Sequence, residues 1–481
     1  MASPTRSQFD VLVVGGGTTG IIAAIAAAGT GARTCLVESS GYLGGTTYAL
    51  GNVITFHNNR MEQVVAGVPQ KLVDKLAATG GVARCGHLPN PGGQCGTVTL
   101  MDPATLNIVA LEMMHDAGVE VMLQTIATEV LATDRTLKGI EVFNKAGTQE
   151  LHAQAIVDTS GDADVAVSAG VPYEKDQRGS RLTATSVFRI GNVDHDALIA
   201  DLKKNPERVI LLEDPYLAKT RGLTPHEVMA RVESIYDLPF IYLSNIVRDY
   251  IPKSDWHNWG ITGIEKRDWG ALSPFGSRVH ISPSAASPTI VFLNTTNVHV
   301  DATDPSELSR AEMEGQQQVK LMVELLRRYV PGFKDATLIG SNPKISVRAS
   351  RRVAGEYRLS KDEVTLGARF PDSIAKGAYP MSVQVESAKS ERLHLYVKDG
   401  GDYDIPYRCI VPKEIDGVLV AGRCMSADRE ASGSSRNGAQ CMAVGHAAGV
   451  AAALSAQNRT TPRLLDPNEL RAKLIEQGAI V

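Results

Sequence analysis

The chain has 481 residues, 43% of them hydrophobic and 21% charged, with a formal net charge of −4 and a pI near 6.3; it can bury a large core and should divide into two domains. No basic footprint invites a nucleic acid and no Lys/Arg run an anionic membrane surface. MASPTRSQF at the start reads as too short and polar for a signal peptide, residues 21–28 as too short to span a bilayer, and the six cysteines have no CxxC spacing for zinc, an iron–sulfur cluster or a thioredoxin-like couple, so the expectation is a cytoplasmic protein with reduced cysteines and no metal.

Asp10 to Glu38 reads DVLVVGGGTTGIIAAIAAAGTGARTCLVE. The β-branched run Val11 to Val14 empties into Gly15-x-Gly17-x-x-Gly20, an alanine-rich helical segment follows, and Leu36-Val37-Glu38 closes a second strand. That order is a βαβ unit for a dinucleotide. Gly15 lets the chain turn out of the strand, Gly17 lets backbone N–H groups approach a pyrophosphate, and Gly20 lets the helix pack on the sheet. The helix N-terminus faces the phosphates with about half a unit of positive charge. Glu38 can accept from ribose hydroxyls and would repel a 2′-phosphate, which disfavours NADP. The motif leaves NAD and FAD open.

Beyond Ser39, the pair Gly44-Gly45 followed by Thr46 and Thr47 sits where a loop would bend back over the cofactor, a feature that an NAD enzyme rarely needs. Residues 61–79 have a helical period that Pro69 can break or kink, and 80–98 form a long loop rich in Gly, Pro, Asn and Cys. Asp102-Pro103 starts a helix that runs to about Ala117. From Val119 to Val157 three β-like runs form a meander ending in Asp158-Thr159-Ser160-Gly161-Asp162-Ala163-Asp164. A strand that empties into glycine and acids returns the chain to the dinucleotide; the alternative for these acids is a capped helix start.

Residues 183–400 change character and are read as an inserted second domain. TSVFRIGNVD is strand-like, and SELSRAEMEGQQQVKLMVELLRRYV is an amphipathic helix stopped by Pro331-Gly332. Arg348, Arg351 and Arg352 stand close together before Glu356 and Tyr357; a cationic cluster on one face would suit a carboxylate or carbonyl, the alternative being a structural Arg–Glu network. Residues 401–481 return to the first domain, formed otherwise by 1–182. Gly417 to Arg423 is a buried strand ending in glycine, and GAQCMAVGHAAGVAAALSAQ from Gly438 is a long helix of small residues. Its N-terminus would place a positive partial charge beside a flavin N1/O2.

The N-terminal fingerprint with Glu38, the Gly-Gly loop, IVDTSGDAD, the LVAGR strand and the following Arg-x-Gly helix start together resemble the FAD-dependent oxidoreductases of the succinate dehydrogenase/fumarate reductase flavoprotein superfamily. VRASRRVAGEYRLS, YDIPYRCIVPKEIDGVLVAGR and SSRNGAQCMAVGHAAGVAAAL are similar to its soluble branch called the FAD-dependent oxidoreductase family. The resemblance implies an α/β fold: a Rossmann-like FAD-binding domain with β-meander, of the glutathione reductase type, plus an inserted α+β substrate domain. It implies FAD contacts at Gly15, Gly17, Thr19, Gly20, Glu38, Ser39, Gly44, Gly45, Thr46, Gly161, Asp162, Gly422, Arg423, Gly438, Ala439, Gln440 and Cys441, with a main-chain contact to adenine at Ile126 or Ala127. Arg436 aligns with the arginine that grips a substrate carboxylate in fumarate reductase-like enzymes. Thr46 stands where covalent flavoproteins carry histidine, so the FAD should be noncovalent. The branch often has Arg-Glu-Ser-Arg-Arg and Asp-x-His where this chain has Arg348 to Arg352 and Ser382-Val383-Gln384.

The resulting expectation is an FAD enzyme that moves a hydride between flavin N5 and a small substrate, oxidising a C–H bond or reducing a double bond. Arg436, Arg348, Arg351 and His394 are the catalytic candidates, with Tyr396, Tyr357 and His57 as further proton-transfer groups. The alternatives are an NAD-dependent dehydrogenase and a dinucleotide-binding protein without turnover. The expected partners are a small-molecule substrate and an electron acceptor that the sequence leaves open, as it does the oligomeric state.

Overall fold

The structure is a computed structural model that describes residues 6–79, 85–91, 93–176, 183–209, 216, 219, 222–243, 246–262, 270–272, 279–384 and 392–481. The first half contains β1 (Arg6–Val14), α1 (Thr18–Gly29), β2 (Thr34–Val37), α2 (Gly45–Leu50), β3 (Asn52–Ile54), α3 (Val68–Ala78), β4 (Gly86–Pro89), β5 (Thr97–Leu100), α4 (Pro103–Asp116), β6 (Glu120–Met122), β7 (Ile126–Thr133), β8 (Thr136–Asn144) and β9 (Gly147–Asp158). Next come β10 (Tyr173–Lys175), β11 (Phe188–Gly191), β12 (Ile241–Leu243), β13 (Val279–Pro283), β14 (Val291–Leu293), the long helix α5 (Pro305–Tyr329), β15 (Thr337–Ser341) and β16 (Arg351–Val353). The chain closes with β17 (Ser373–Gly377), β18 (Met381–Gln384), β19 (Arg392–Leu395), β20 (Tyr403–Pro406), β21 (Val418–Val420), α6 (Arg429–Ser435) and α7 (Gly438–Gln457).

The main sheet has seven strands in the order β6-β2-β1-β9-β8-β7, with β21 also on β9. β1, β2, β6, β9 and β21 are parallel, and the meander β7-β8 joins the first half of β9 antiparallel while β21 takes the same edge at its end. Parallel strands covered by helices read as continuous apolar runs, as Val11 to Val14 and Val418 to Val420 do. The small residues of α1 and α7 let the two helices cross closely: a Cβ on Gly449 would stand 2.1 Å from the Ala23 carbonyl oxygen, and one on Gly445 2.4 Å from that of Thr19. Among the described residues α7 is long and apolar enough to cross a membrane, but its whole apolar window is buried inside the protein.

A second sheet, β12-β13-β14-β11-β15, is antiparallel. Its inward residues, Phe188, Ile190, Ile241, Leu243, Ile281 and Leu293, pack with α5 residues Val319, Met322 and Leu326 into a core of their own. Residues 359–397 contribute Leu359, Val364, Ile374 and Val397 to the core beneath the main sheet instead. The α/β class and Rossmann-like unit with meander are those expected. Two local expectations are corrected. The helix expected over 61–79 begins at Val68, because Pro69 lacks an N–H and suits the first turn rather than the interior. The first meander run splits at Gln124 (φ 51°), sending β6 to the far sheet edge and β7 into the meander.

Candidate functional site

Three glycines of the fingerprint have different physical reasons. Gly15 has φ 107°, and a Cβ there would lie 2.5 Å from the Thr159 carbonyl oxygen; a Cβ on Gly20 would lie 1.8 Å from that of Gly15. The fold itself therefore requires both. Gly17 has an ordinary extended backbone (φ −66°, ψ 173°), and a Cβ there meets no protein atom within 4 Å. The protein leaves that space open, so glycine at 17 is explained by a bound group that fills it. Thr159 braces the turn, its Oγ1 donating to the carbonyls of Val14 at 2.9 Å and Gly15 at 2.8 Å. The Gly44 N–H donates to Gly16 O at 2.9 Å, which folds the second glycine loop over the first. A Cβ on Gly45 would stand 3.0 Å from Gly17 Cα, and the Thr18 and Thr47 hydroxyls meet at 3.4 Å. Thr46, exposed on α2, stands at the same rim.

Glu38 accepts from the Gly16 and Ser40 N–H groups, each at 2.6 Å, and from Ser39 Oγ at 3.1 Å. The acid thus pins the fingerprint to the end of β2, and the Ser39 hydroxyl serves that acid. The Thr125 N–H donates to Glu38 O at 3.0 Å, so Ile126 and Ala127 begin β7 beside the same acid. On the other side, Asp162 Oδ1 accepts from Arg423 Nη2 at 2.8 Å and from Ser350 Oγ, while Oδ2 takes no hydrogen bond among the described residues. Burial pushes this carboxyl up, but Arg423 and the Ser350 hydroxyl outweigh it and hold it below the usual carboxylate range. It stays an ionised acceptor. Arg423 lies across Gly161, whose missing Cβ would stand 3.0 Å from the guanidinium carbon.

Thr19 links the two helix starts: it lies beside Gly422 at 3.4 Å from that residue's missing Cβ and beneath Gly445 of α7. Gly438 opens α7 against Val53, at 2.6 Å for a built Cβ. Ala439 and Gln440 are fully buried, and neither polar atom of the Gln440 carboxamide has a hydrogen-bond partner among the described residues. Cys441 is buried too; burial pushes its thiol up to about 12 against the opposing charges of Arg436 and Arg423. An open space at Gly17, an ionised acceptor at Asp162 and the neighbouring starts of α1 and α7 fit a dinucleotide.

Arg436 caps the C-terminus of α6, its N–H donating to Ser432 O at 3.2 Å, one residue before the N-cap of α7. Its half-buried side chain carries its charge to the first turn of α7. The cationic cluster expected from Arg348, Arg351 and Arg352 does not form on one face. Arg348 donates to the Thr183 carbonyl, to Thr183 Oγ1 at 3.2 Å and to Asn294 Oδ1 at 3.1 Å. Arg351 pairs with Asp164 at 2.8 Å and donates to Asp162 O at 3.1 Å, whereas Arg352 pairs with Asp176 at 2.8 Å. The extended segment into β16 turns successive side chains to different neighbours. Arg348 ties Thr183, ahead of the second sheet, to Asn294 at the end of β14, and Arg351 clamps the loop that follows β9. Glu356 and Tyr357 lie elsewhere, on Arg463 and Glu363.

The ring nitrogens of His394 lie 2.7 and 2.9 Å from Gln94 Nε2, and Gln94 Oε1 accepts from the Tyr379 hydroxyl at 2.8 Å. The Tyr379 carbonyl accepts from Ser434 Oγ, so His394 is tied through Gln94 and Tyr379 to α6. His57 instead contacts Thr97 Oγ1 at 3.2 Å and stands edge-on to His87; burial lowers its pKa. Tyr396 stacks on Tyr216. Gln94, Thr159, Ser350 and Tyr379 escaped the sequence reading, because their roles rest on partners far away in the chain. Thr159 had a signal in IVDTSGDAD and Gln94 in the expected loop 80–98; that expectation is corrected, since β4 and the start of β5 occupy it with Gln94 between them, and 80–84 and 92 lie outside the described residues.

Among solved structures, a geranylgeranyl bacteriochlorophyll reductase-like protein from Thermoplasma acidophilum is 12% identical, over 99% of this chain and 85% of its own, with TM-score 0.47. The p-nitrophenol 4-monooxygenase from Pseudomonas putida is 11% identical over 98% and 85%, TM-score 0.44, and GidA from Aquifex aeolicus 14% over 95% and 65%, TM-score 0.46. No curated protein matches the sequence. The model of the family described as FAD dependent oxidoreductase matches residues 10–474, so the chain belongs to the FAD dependent oxidoreductase family, an enzyme class whose cofactor is FAD.

Proposed function

We propose that the enzyme moves a hydride between flavin N5 and a small organic substrate bearing a carboxylate or carbonyl, as a dehydrogenase, desaturase or ene-reductase. The motif order supports placing it with the succinate dehydrogenase/fumarate reductase flavoprotein superfamily. The observation that carries this reading is Arg436, held between the end of α6 and the start of α7, with its charge at Cys441. Bound FAD supplies the two-electron chemistry. Gly17, Glu38, Asp162 and the start of α7 hold it, and Thr46 at the tethering position favours noncovalent binding. An arginine suits this role because its planar guanidinium can meet a carboxylate or polarised carbonyl through two parallel N–H donors. His394 is the proton-transfer candidate favoured here, since Gln94, Tyr379 and Ser434 tie it to α6, the helix that Arg436 ends. A dinucleotide binder without turnover has no use for a cation there.

In the same reading the substrate domain begins near residue 183. It runs to residue 400, and Leu359, Val364, Ile374 and Val397 within it pack into the core beneath the main sheet. The test is an anaerobic screen of small acids, ketones and alcohols for bleaching of the bound flavin. With a substrate in hand, Arg436→Lys keeps the charge but loses the fork. It should retain FAD while losing about 2–4 kcal/mol of transition-state stabilisation, roughly thirty- to a thousand-fold in kcat/KM. Near-normal turnover in both Arg436→Lys and Arg436→Ala would remove the residue from the mechanism.

A further inference from the structure

We infer that the cleft between α2 and the turn over residues 342–346 is a phosphate site whose cation is Lys344, and that through it the second unit grips the diphosphate of FAD. The inference rests on FAD as the cofactor and is independent of the substrate. Gly45, Thr46 and Tyr48 form one wall of the cleft and Asn342, Lys344 and Ser346 the other, with about 250 Å³ of space between them. That is less than the roughly 300–1,000 Å³ of a pocket for a whole drug-sized ligand, so the cleft takes a group rather than a second dinucleotide. Gly45 sets it beside the fingerprint: a Cβ on Gly45 would stand 3.0 Å from Gly17 Cα, next to the space that Gly17 leaves open.

The turn is fastened at both ends. The Asn342 N–H donates to Val187 O at 2.9 Å, Ser346 exchanges backbone hydrogen bonds with Thr185 at 2.8 and 3.0 Å, and the Ile345 N–H donates to Glu312 Oε1 of α5 at 2.6 Å. Lys344 stands exposed between these ties. Among the described residues it has no ion pair or hydrogen bond, and the Thr46 and Tyr48 hydroxyls have no hydrogen-bond partner. One ammonium and two hydroxyls, each able to donate, thus line one cleft. The carboxylates that face the neighbouring Tyr42, Glu38 and Glu312, are already committed, Glu38 to the Gly16 and Ser40 N–H groups and Glu312 to that of Ile345. A point charge without a planar fork suits a tetrahedral oxyanion better than a carboxylate. The diphosphate has need of it, since the start of α1 supplies only about half a unit of positive charge and the Glu38 carboxylate, 2.6 Å from Gly16 N, opposes that.

The test follows FAD release from the loaded protein by the recovery of flavin fluorescence on dilution. Lys344→Gln should release FAD about tenfold faster or more, as expected for the loss of one charge-assisted hydrogen bond, while Lys344→Arg stays near wild type. Added salt should speed release from wild type and much less from Lys344→Gln, a difference that a merely structural lysine would not produce. A second arm titrates inorganic pyrophosphate into the FAD-loaded protein in a calorimeter. No binding there, with fast release from Lys344→Gln, supports FAD as the source of the phosphate. Pyrophosphate binding that Lys344→Gln abolishes, with FAD release unchanged, supports the phosphate site and overturns FAD as its ligand in favour of a free phosphorylated molecule. Unchanged FAD release in Lys344→Gln together with no Lys344-dependent pyrophosphate binding overturns the inference outright.

Discussion

Gly17 is the residue whose identity the folded chain alone does not explain. Its backbone suits any residue and its missing side chain points into open space, in contrast to Gly15 and Gly20, which the neighbouring backbone forbids to be anything larger. Gly17→Val should therefore fold with near-normal stability and lose its FAD, whereas wild type should be yellow and release its flavin into the supernatant on acid precipitation. A variant with full FAD occupancy, or one that does not fold, contradicts this division of roles. The same contrast marks what was legible in the sequence at this scale. Glycines announce themselves by spacing, and Glu38 by ending a strand. Thr159 and Ser350 do not, because a hydroxyl that braces a turn or a carboxylate looks like any other until the distant partner is known.

At the scale of elements, the fold places α1 and α7 across one another by deleting side chains at the crossing. A methyl on Gly449 would meet the Ala23 carbonyl oxygen at 2.1 Å, and both groups belong to helix backbones that cannot swing aside. Gly449→Ala should cost about 1–3 kcal/mol, the usual range for overpacking a tight interior, seen as a lower denaturant midpoint and weaker FAD retention. An unchanged midpoint would show that the crossing relaxes freely. Elements with a clean period were readable: α4 starts at Pro103 behind the Asp102 N-cap, and α5 follows its amphipathic stripe from Pro305 to Tyr329. The start of α3 and the split between β6 and β7 were not, since a helical period runs through residues 61–67 whether or not the backbone follows it. The arginines near residue 350 misled for a related reason, as closeness in sequence on an extended segment does not give a shared face.

Across the whole molecule, several histidines are held neutral: His195, His280 and His446 are buried and His87 is half-buried. Burial pushes the pKa values of His87, His195 and His446 down to about 4 and that of His280 to about 3, from an ordinary value of 6.5. The unfolded chain then binds more protons than the folded one between about pH 6.5 and 4. Stability is intact above that window and falls as the pH drops through it, by at most about 1.4 kcal/mol per pH unit for each such histidine. Urea midpoints measured from pH 7.5 to 4.5 should decline steeply below about 6.5, and His446→Gln should flatten the slope. A midpoint independent of pH across the window would show that these rings are hydrated or charged in the folded state.

The family model runs through the two-sheet architecture from residue 10 to residue 474, so the whole molecule serves one FAD-dependent enzyme. The central claim is that carbon-bound hydrogen passes between substrate and flavin N5. Once the anaerobic screen yields a substrate whose oxidation bleaches the flavin, that claim is tested by stopped-flow bleaching with the substrate deuterated at the reacting carbon. The account predicts complete bleaching without oxygen or nicotinamide, slowed severalfold by deuterium and by Arg436→Lys. Turnover that requires oxygen together with a reduced nicotinamide, with no direct bleaching by the substrate, would contradict it.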